Sequence, residues 1–196
     1  MRSIIIGLVG GVASGKSTVA ELFAAERPVT RVDADQLARK VERKPAVRRA
    51  IAERFPACVG PDGVMDRELM ARRVFRNPRE LAALEAILHP PVQAAVRQAI
   101  RRATTPYVLL DIPLLLEGGS DELCDHVVYI ACPARVRRRR ARVHRGWTEA
   151  EHRAREAKQW PLRRKRAAAD FVVDNGTTPA RARRDVRRIL RQIERE

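Results

Sequence analysis

The chain has 196 residues, of which 45% are hydrophobic, and a formal net charge of +16. That is enough apolar material for one globular domain with small insertions, and it argues against a disordered polyelectrolyte. No apolar run approaches the roughly 20 residues of a membrane span. The run near the start, IIIGLV, is too short for a signal peptide. Cys58, Cys124 and Cys132 lack CxxC spacing, which sets aside a disulfide framework and a zinc site and points to a reducing, cytoplasmic setting.

In chain order, residues 3–9 (SIIIGLV) read as a short buried strand and a helix follows over 17–25. PVTRVDAD (28–35) reads as a second strand ending in two acids. A helical region over 36–54 is interrupted near Pro45, and GPDG (60–63) is a turn. Helical patterns resume over 67–75 and 78–88, the latter with Leu81, Leu84 and Leu88 on one face. His89-Pro90-Pro91 is expected to end that helix, because proline disfavours helical backbone in the residue before it. Another helix covers 92–103.

YVLLDIP (107–113) and HVVYIAC (126–132) are the third and fourth strands. An arginine-rich helical stretch spans 134–168 with breaks near Gly146 and Pro161. ADFVVDN (169–175) is the fifth strand, and an amphipathic helix over 179–194 closes the pattern. Short apolar strands alternating with helices predict an α/β fold with about five parallel strands flanked by helices. The connections 36–103 and 134–168 are too long for simple crossovers and are themselves helical.

The loop after the first strand carries the chemistry. Gly10-Gly11-Val12-Ala13-Ser14-Gly15-Lys16-Ser17 satisfies G-x-x-x-x-G-K-[ST] between an apolar strand and a helix. Glycines let backbone N–H groups wrap phosphate oxygens, and the helix N-terminus adds positive potential. Residues Gly11, Val12, Ala13, Ser14, Gly15, Lys16, Ser17 and Thr18 are therefore the expected ATP cradle. Lys16 would reach the β- and γ-phosphates, and the Ser17 hydroxyl would ligate Mg2+.

The positive charge is almost all arginine, since the lysines are only Lys16, Lys40, Lys44, Lys158 and Lys165. Arginine falls on every predicted helix after the first. The charge thus reads as solvated helix faces plus a few phosphate-binding groups, and no nucleic-acid partner is expected. No N-K-x-D guanine reader is present, and motor ATPases usually need a longer chain. A short P-loop chain with helical insertions after strands two and four resembles the nucleoside-monophosphate-kinase-like group. That likeness implies a nucleotide core of 1–35, 104–133 and 169–196, a helical acceptor domain over 36–103 and a lid over 134–168.

The acceptor is indicated by ordered runs: GLVGGVASGKSTV (7–19), Asp33-Ala34-Asp35, GPDGVMDRELMARRVF (60–75), LEAILHPPV (84–92), DIPLLLE (111–117) and ADFVVDN (169–175). Together they resemble the dephospho-CoA kinase family over nearly the whole chain. The resemblance implies transfer of the ATP γ-phosphoryl, with Mg2+, to the ribose 3′-hydroxyl of dephospho-CoA. Asp35 matches the second acid of the family's D-x-D motif and would accept or steer the hydroxyl proton. A simple helix cap is its other reading, and Asp33 is the second candidate.

By the same resemblance Asp66, Arg67, His89 and Glu117 contact the acceptor. Asp111 would hold Mg2+, directly or through water, or touch the acceptor. Arg140 and Arg142 would stabilise the transferring phosphoryl group, Gln159 and Lys165 match lid positions, and Asn175 frames the adenine pocket. Trp147 and Trp160 read as packing residues. Two departures stand out: Val9 where the family usually has threonine, and VERKPA without the usual proline-glycine turn. Nucleoside- or shikimate-type kinases share the loop but not the G-x-x-D-R and L-E-x-I-x-H-P runs. A nucleotide-dependent nucleic-acid-binding module would leave Asp35 and the ordered motifs unexplained.

Overall fold

A computed structural model of the chain describes residues 2–75 and 77–196; Met1 and Arg76 lie outside the described residues. The chain divides into two compact units. One comprises the residues up to Val32 together with Ala103–Glu196, and the other comprises Asp33–Arg102.

The larger unit begins with β1 (Ile4–Gly10), α1 (Lys16–Glu26) and β2 (Val29–Asp33). The smaller follows as α2 (Ala34–Glu42), α3 (Pro45–Arg54), α4 (Arg67–Phe75) and α5 (Pro78–Arg101). The chain then returns through β3 (Tyr107–Asp111), β4 (His126–Ala131), α6 (Ala134–Arg145), α7 (Glu149–Glu156), α8 (Leu162–Ala167), β5 (Phe171–Asp174) and α9 (Pro179–Ile193). The five strands form one sheet in the order β2-β3-β1-β4-β5.

β1 is the central strand. It pairs in parallel with β3, from Ile4 opposite Tyr107 to Gly7 opposite Leu110, and with β4, from Ile6 opposite His126 to Gly10 opposite Ile130. β4 pairs in parallel with β5 through Val128–Phe171 to Ala131–Asp174. A parallel strand must bury both faces, which is why β1, β3 and β4 read as unbroken apolar runs rather than alternating ones. Ile6, Leu8, Leu109, Val128, Ile130 and Val173 pack against Val19, Ala20 and Phe23 of α1. On α9 the buried positions 182, 186, 189, 190 and 193 recur at helical spacing and join the same core, while arginines fill most of the positions between.

In the smaller unit Val41, Val47, Ile51, Phe55, Cys58, Met70, Val74 and Leu84 form a separate core. Two sequence expectations need correction here. The helix expected to stop at His89 runs unbroken through Pro90 and Pro91 to Arg101. The prolines leave the Ala86 and Ile87 carbonyls without intrahelical donors. Leu81, Leu84, Ile87, Leu88, Val92 and Ala95 nevertheless all pack on one cluster, so burial on both sides of the break outweighs the two missing bonds.

The second strand also ends earlier than expected. Asp33 Oδ1 accepts from the Gln36 N–H at 3.0 Å and caps α2, so Asp35 stands in the first helical turn instead of closing a strand. The cap reading weighed for Asp35 therefore belongs to Asp33.

Phe55 is fully buried in the smaller core. Phe55→Ala is expected to cost about 3–5 kcal/mol of stability, read from urea unfolding; a loss below about 1 kcal/mol would mean that the site refills.

Candidate active site

The chain leaves β1 at Gly10 and reaches α1 through a tight turn in which the Ser14 N–H donates to the Gly11 carbonyl at 3.1 Å. Gly15 caps α1 with φ 88°. A Cβ there would lie 2.2 Å from Asn175 Nδ2, so glycine is required by both dihedral and space.

The loop is gripped from behind. Asn175, buried just beyond β5, donates from Nδ2 to the Ser14 carbonyl at 2.8 Å, with the Gly15 carbonyl at 3.4 Å. Arg140 of α6 donates to the same Ser14 carbonyl at 3.2 Å and to the Asn175 carbonyl at 3.0 Å. With these carbonyls drawn outward, the opening N–H groups of α1, which have no acceptor inside the helix, are left for an anion. Lys16 is half-buried at the start of α1, and Ser17 and Thr18 beside it are exposed. Val12 and Ser14 are buried, Ala13 adopts φ 58°, and Ser14 Oγ has no hydrogen-bond partner. Arg142, in the last turn of α6, is exposed.

Asp111 closes β3 with Arg31 Nη2 at 3.9 Å. Glu117 faces the segment before α8: its Oε1 accepts from the Trp160 N–H at 2.7 Å and pairs with Lys165 Nζ at 2.9 Å. Lys165 also donates to Gln159 Oε1 at 3.2 Å. Burial pushes the Glu117 carboxyl upward, but the Trp160 N–H and the Lys165 ammonium outweigh it and hold the group below its ordinary value.

In the smaller unit, Asp33 Oδ2 accepts from Gln36 Nε2 at 3.1 Å while Asp35 is exposed. Asp66 caps α4, accepting from the Glu68 and Leu69 N–H groups at 2.9 and 3.0 Å. Arg67 is ion-paired with Glu42, and His89 is exposed along α5. A cavity of about 710 Å³ in this unit is lined by Arg39, Glu42, Arg48, Ile51, Met65 and Arg67, so it offers both guanidinium groups and apolar walls. Arg39 and Arg48 were not singled out in the sequence, where one arginine looks like another.

Buried Arg137 and His152 meet the half-buried Glu156 beside the glycine loop. In the sequence Arg137 is one of a run of identical arginines, and His152 and Glu156 leave only their spacing of one helical turn. The tryptophans do more than pack. Arg145 and Arg155 lie over the Trp147 ring at 4.8 and 4.0 Å, and Arg164 lies over Trp160 at 3.3 Å, as cation–π partners. Among the described residues no group of three or more His, Cys, Asp or Glu is arranged to hold a metal, and no helix is long and apolar enough to cross a membrane.

A glycine loop ending in Gly-Lys-Ser, set between the central strand of a five-stranded parallel sheet and a helix N-terminus, defines a P-loop kinase fold. The family model described as Dephospho-CoA kinase matches residues 4–180. A dephospho-CoA kinase of Anaeromyxobacter dehalogenans is 44% identical over 180 residues, covering 89% of this chain and 85% of the relative. One of Geobacillus kaustophilus is 39% identical over 195 residues, covering 97% and 96%. The crystal structure of TT1252 from Thermus thermophilus superposes with a TM-score of 0.85 at 34% identity, covering 98% of this chain and 97% of that one. The chain belongs to the dephospho-CoA kinase family.

Removing one partner of a buried ion pair leaves the other charge uncompensated. Glu117→Leu, which strands the Lys165 ammonium, should cost about 3–5 kcal/mol at pH 7 in urea unfolding. Because the folded carboxyl is held below its unfolded value, the pair's contribution is fully present above about pH 4.3 and is lost as pH falls through the folded value. The native–variant difference should therefore shrink on acidification. A difference that stays constant to pH 3 would sink this account of Glu117.

Proposed function

We propose that the chain transfers the γ-phosphoryl group of ATP to the ribose 3′-hydroxyl of dephospho-CoA. The observation that carries this reading is the family match over residues 4–180, on a chain whose glycine loop is held open by Asn175 and Arg140. Donor phosphates lie along Gly11–Thr18, with Lys16 against the β- and γ-phosphates and Asn175 closing the adenine end. The 3′-oxygen bonds to the γ-phosphorus, the bond to the β,γ-bridging oxygen breaks, and ADP leaves. Asp35 takes or steers the hydroxyl proton, with Asp33 setting the start of the helix that carries it. Arg140 and Arg142 offset charge on the transferring group.

Mg2+ fits this residue set. A nucleotide-borne Mg2+ takes most of its ligands from phosphates and water and needs few from protein, which suits an exposed Ser17 with Asp111 as a further oxygen donor and, among the described residues, no carboxylate cage. When bound it neutralises charge on the β- and γ-phosphates. The 36–103 segment is the acceptor domain, Asp66, Arg67, His89 and Glu117 contact the acceptor, and 134–168 closes as a lid that excludes water. The free thiols Cys58, Cys124 and Cys132 suit a reducing compartment such as the cytoplasm. ATP and dephospho-CoA suffice as partners; nucleic acid is not among them.

ADP release should require ATP, Mg2+ and dephospho-CoA together, and AMP or shikimate should not replace the last. Lys16→Ala should abolish transfer. Asp35→Asn should lower kcat by about 10²–10⁴ while ATP affinity stays within about twofold. Near-native turnover in Asp35→Asn would remove the proton role from that residue, and no stimulation by dephospho-CoA would remove the acceptor.

A further inference from the structure

At the Gly11 end of the glycine loop lies a charged cluster that the transfer chemistry does not use. Arg137 projects from α6 and is only 4% exposed. Its Nε donates to the Cys132 carbonyl at 3.1 Å, just past β4. Its guanidinium is pressed against the loop: a Cβ at Gly11 would lie 2.6 Å from Arg137 Nη1 and 3.1 Å from Leu162 Cδ2. The same Nη1 is ion-paired with Glu156 at the end of α7. The other Glu156 oxygen lies 3.4 Å from Nδ1 of His152, one turn earlier on α7, whose side chain is 2% exposed.

Two helices of the 134–168 segment thus meet through one carboxylate, whose arginine partner is packed against Gly11 of the loop. A buried guanidinium costs several kcal/mol to desolvate and is tolerated only where a counter-ion and acceptors are fixed beside it. Here the fixed acceptors are Glu156 and the Cys132 carbonyl. His152 completes the arrangement in an unusual state. Neither ring nitrogen makes a hydrogen bond of normal geometry, although the Val12 backbone of the loop is near enough to favour the charged ring. Facing it are Glu156 and Glu149 from its own helix, Arg137 and Arg138 from α6, and Val12 from the loop.

We propose that Arg137 and Glu156 form a clasp that fixes the Gly11–Val12 end of the phosphate loop to α7, making Glu156 a positioning residue for ATP, and that His152, beside the same carboxylate, loosens the clasp only when it is charged. The inference rests on the proposed function only for the donor. Arg137 sets how closely the chain can pass at Gly11; Glu156 holds Arg137 there; neutral His152 lies 3.4 Å from the other Glu156 oxygen without a hydrogen bond to it and leaves the pair intact. Burial, first, and then the neighbouring Arg137 charge hold the imidazole below its ordinary value, so it stays neutral near pH 7. Protonation on the acid side would put a second cation against Glu156 and divide its grip on Arg137.

The test is ATP binding by isothermal titration without acceptor, together with thermal unfolding. The apolar pair Arg137→Met/Glu156→Leu replaces a buried ion pair by packing of similar size, an exchange that is often neutral for stability. It should melt near the native temperature yet bind ATP about tenfold more weakly. Native ATP affinity in that folded pair would reduce the clasp to packing and overturn the proposal.

His152→Gln keeps the ion pair and serves if the double variant fails to fold. It should bind ATP normally at pH 7.5, and well below the ordinary imidazole range, where the native His152 charges, it should lack the extra weakening seen in the native chain. ATP's own protonation is common to both curves and cancels. Superimposable pH curves would overturn the role of His152. A native chain that binds ATP but gives nothing to dephospho-CoA would sink the acceptor reading and leave the clasp standing.

Discussion

Everything at the donor site depends on where the carbonyls of the glycine loop go. A loop can offer its N–H groups to phosphate only if its oxygens are occupied elsewhere, because an unpaired buried carbonyl costs about as much as the bond it forgoes. Here the Ser14 carbonyl accepts from Asn175 and Arg140, which lie more than a hundred residues away in sequence. The parallel order of the sheet makes this possible. With β1 in the centre and β4 beside it, the segments after β4 and β5 run past the same edge as the loop. The ligand-binding end of such sheets is the carboxyl end of the strands for this reason.

The charge of the chain looks different once the partners are known. Much of the arginine is spread over exposed pairs: Arg183 and Arg187 on Glu26, Arg54 and Arg73 on Glu80, Arg27 on Glu194. Such pairs contribute little individually and are screened by salt. The buried cations Arg137 and Lys165 are another matter, because each has a fixed carboxylate and each ties the 134–168 segment to residues before it, Arg137 through the Cys132 carbonyl and Lys165 through Glu117. A net charge of +16 therefore says less about partners than two desolvated side chains do.

The sheet, its order of strands and helices, and the glycine loop were legible because they rest on local pattern. An apolar run of β1's length followed by Gly-x-x-x-x-Gly-Lys-Ser leaves few alternatives. What was not legible depends on residues distant in sequence. Pro90 and Pro91 announce a break by local rules, and only the shared burial of Leu84 and Val92 on one cluster keeps α5 continuous. In the run Arg137–Arg140, sequence offers identical side chains. The fold separates them by geometry, putting Arg137 under Gly11, Arg140 on Ser14, and Arg138 at 3.7 Å from Glu149. Glu117 was legible as a notable acid, but its attachment to Trp160 and Lys165 was not, since nothing local connects the two segments.

The D-x-D run shows why a spacing of two is useful. Asp33 spends both oxygens on Gln36, one on the backbone N–H and one on the side chain, and so ends the strand and starts α2 in the same residue. An acid committed in this way is poorly placed to take a proton from a substrate. Asp35, two positions on, is rotated by about 200° around the new helix axis, clear of the cap and exposed, while its backbone is held by the turn that Asp33 fixed. One carboxylate builds the turn and the other rides on it, so removing the first would displace the second.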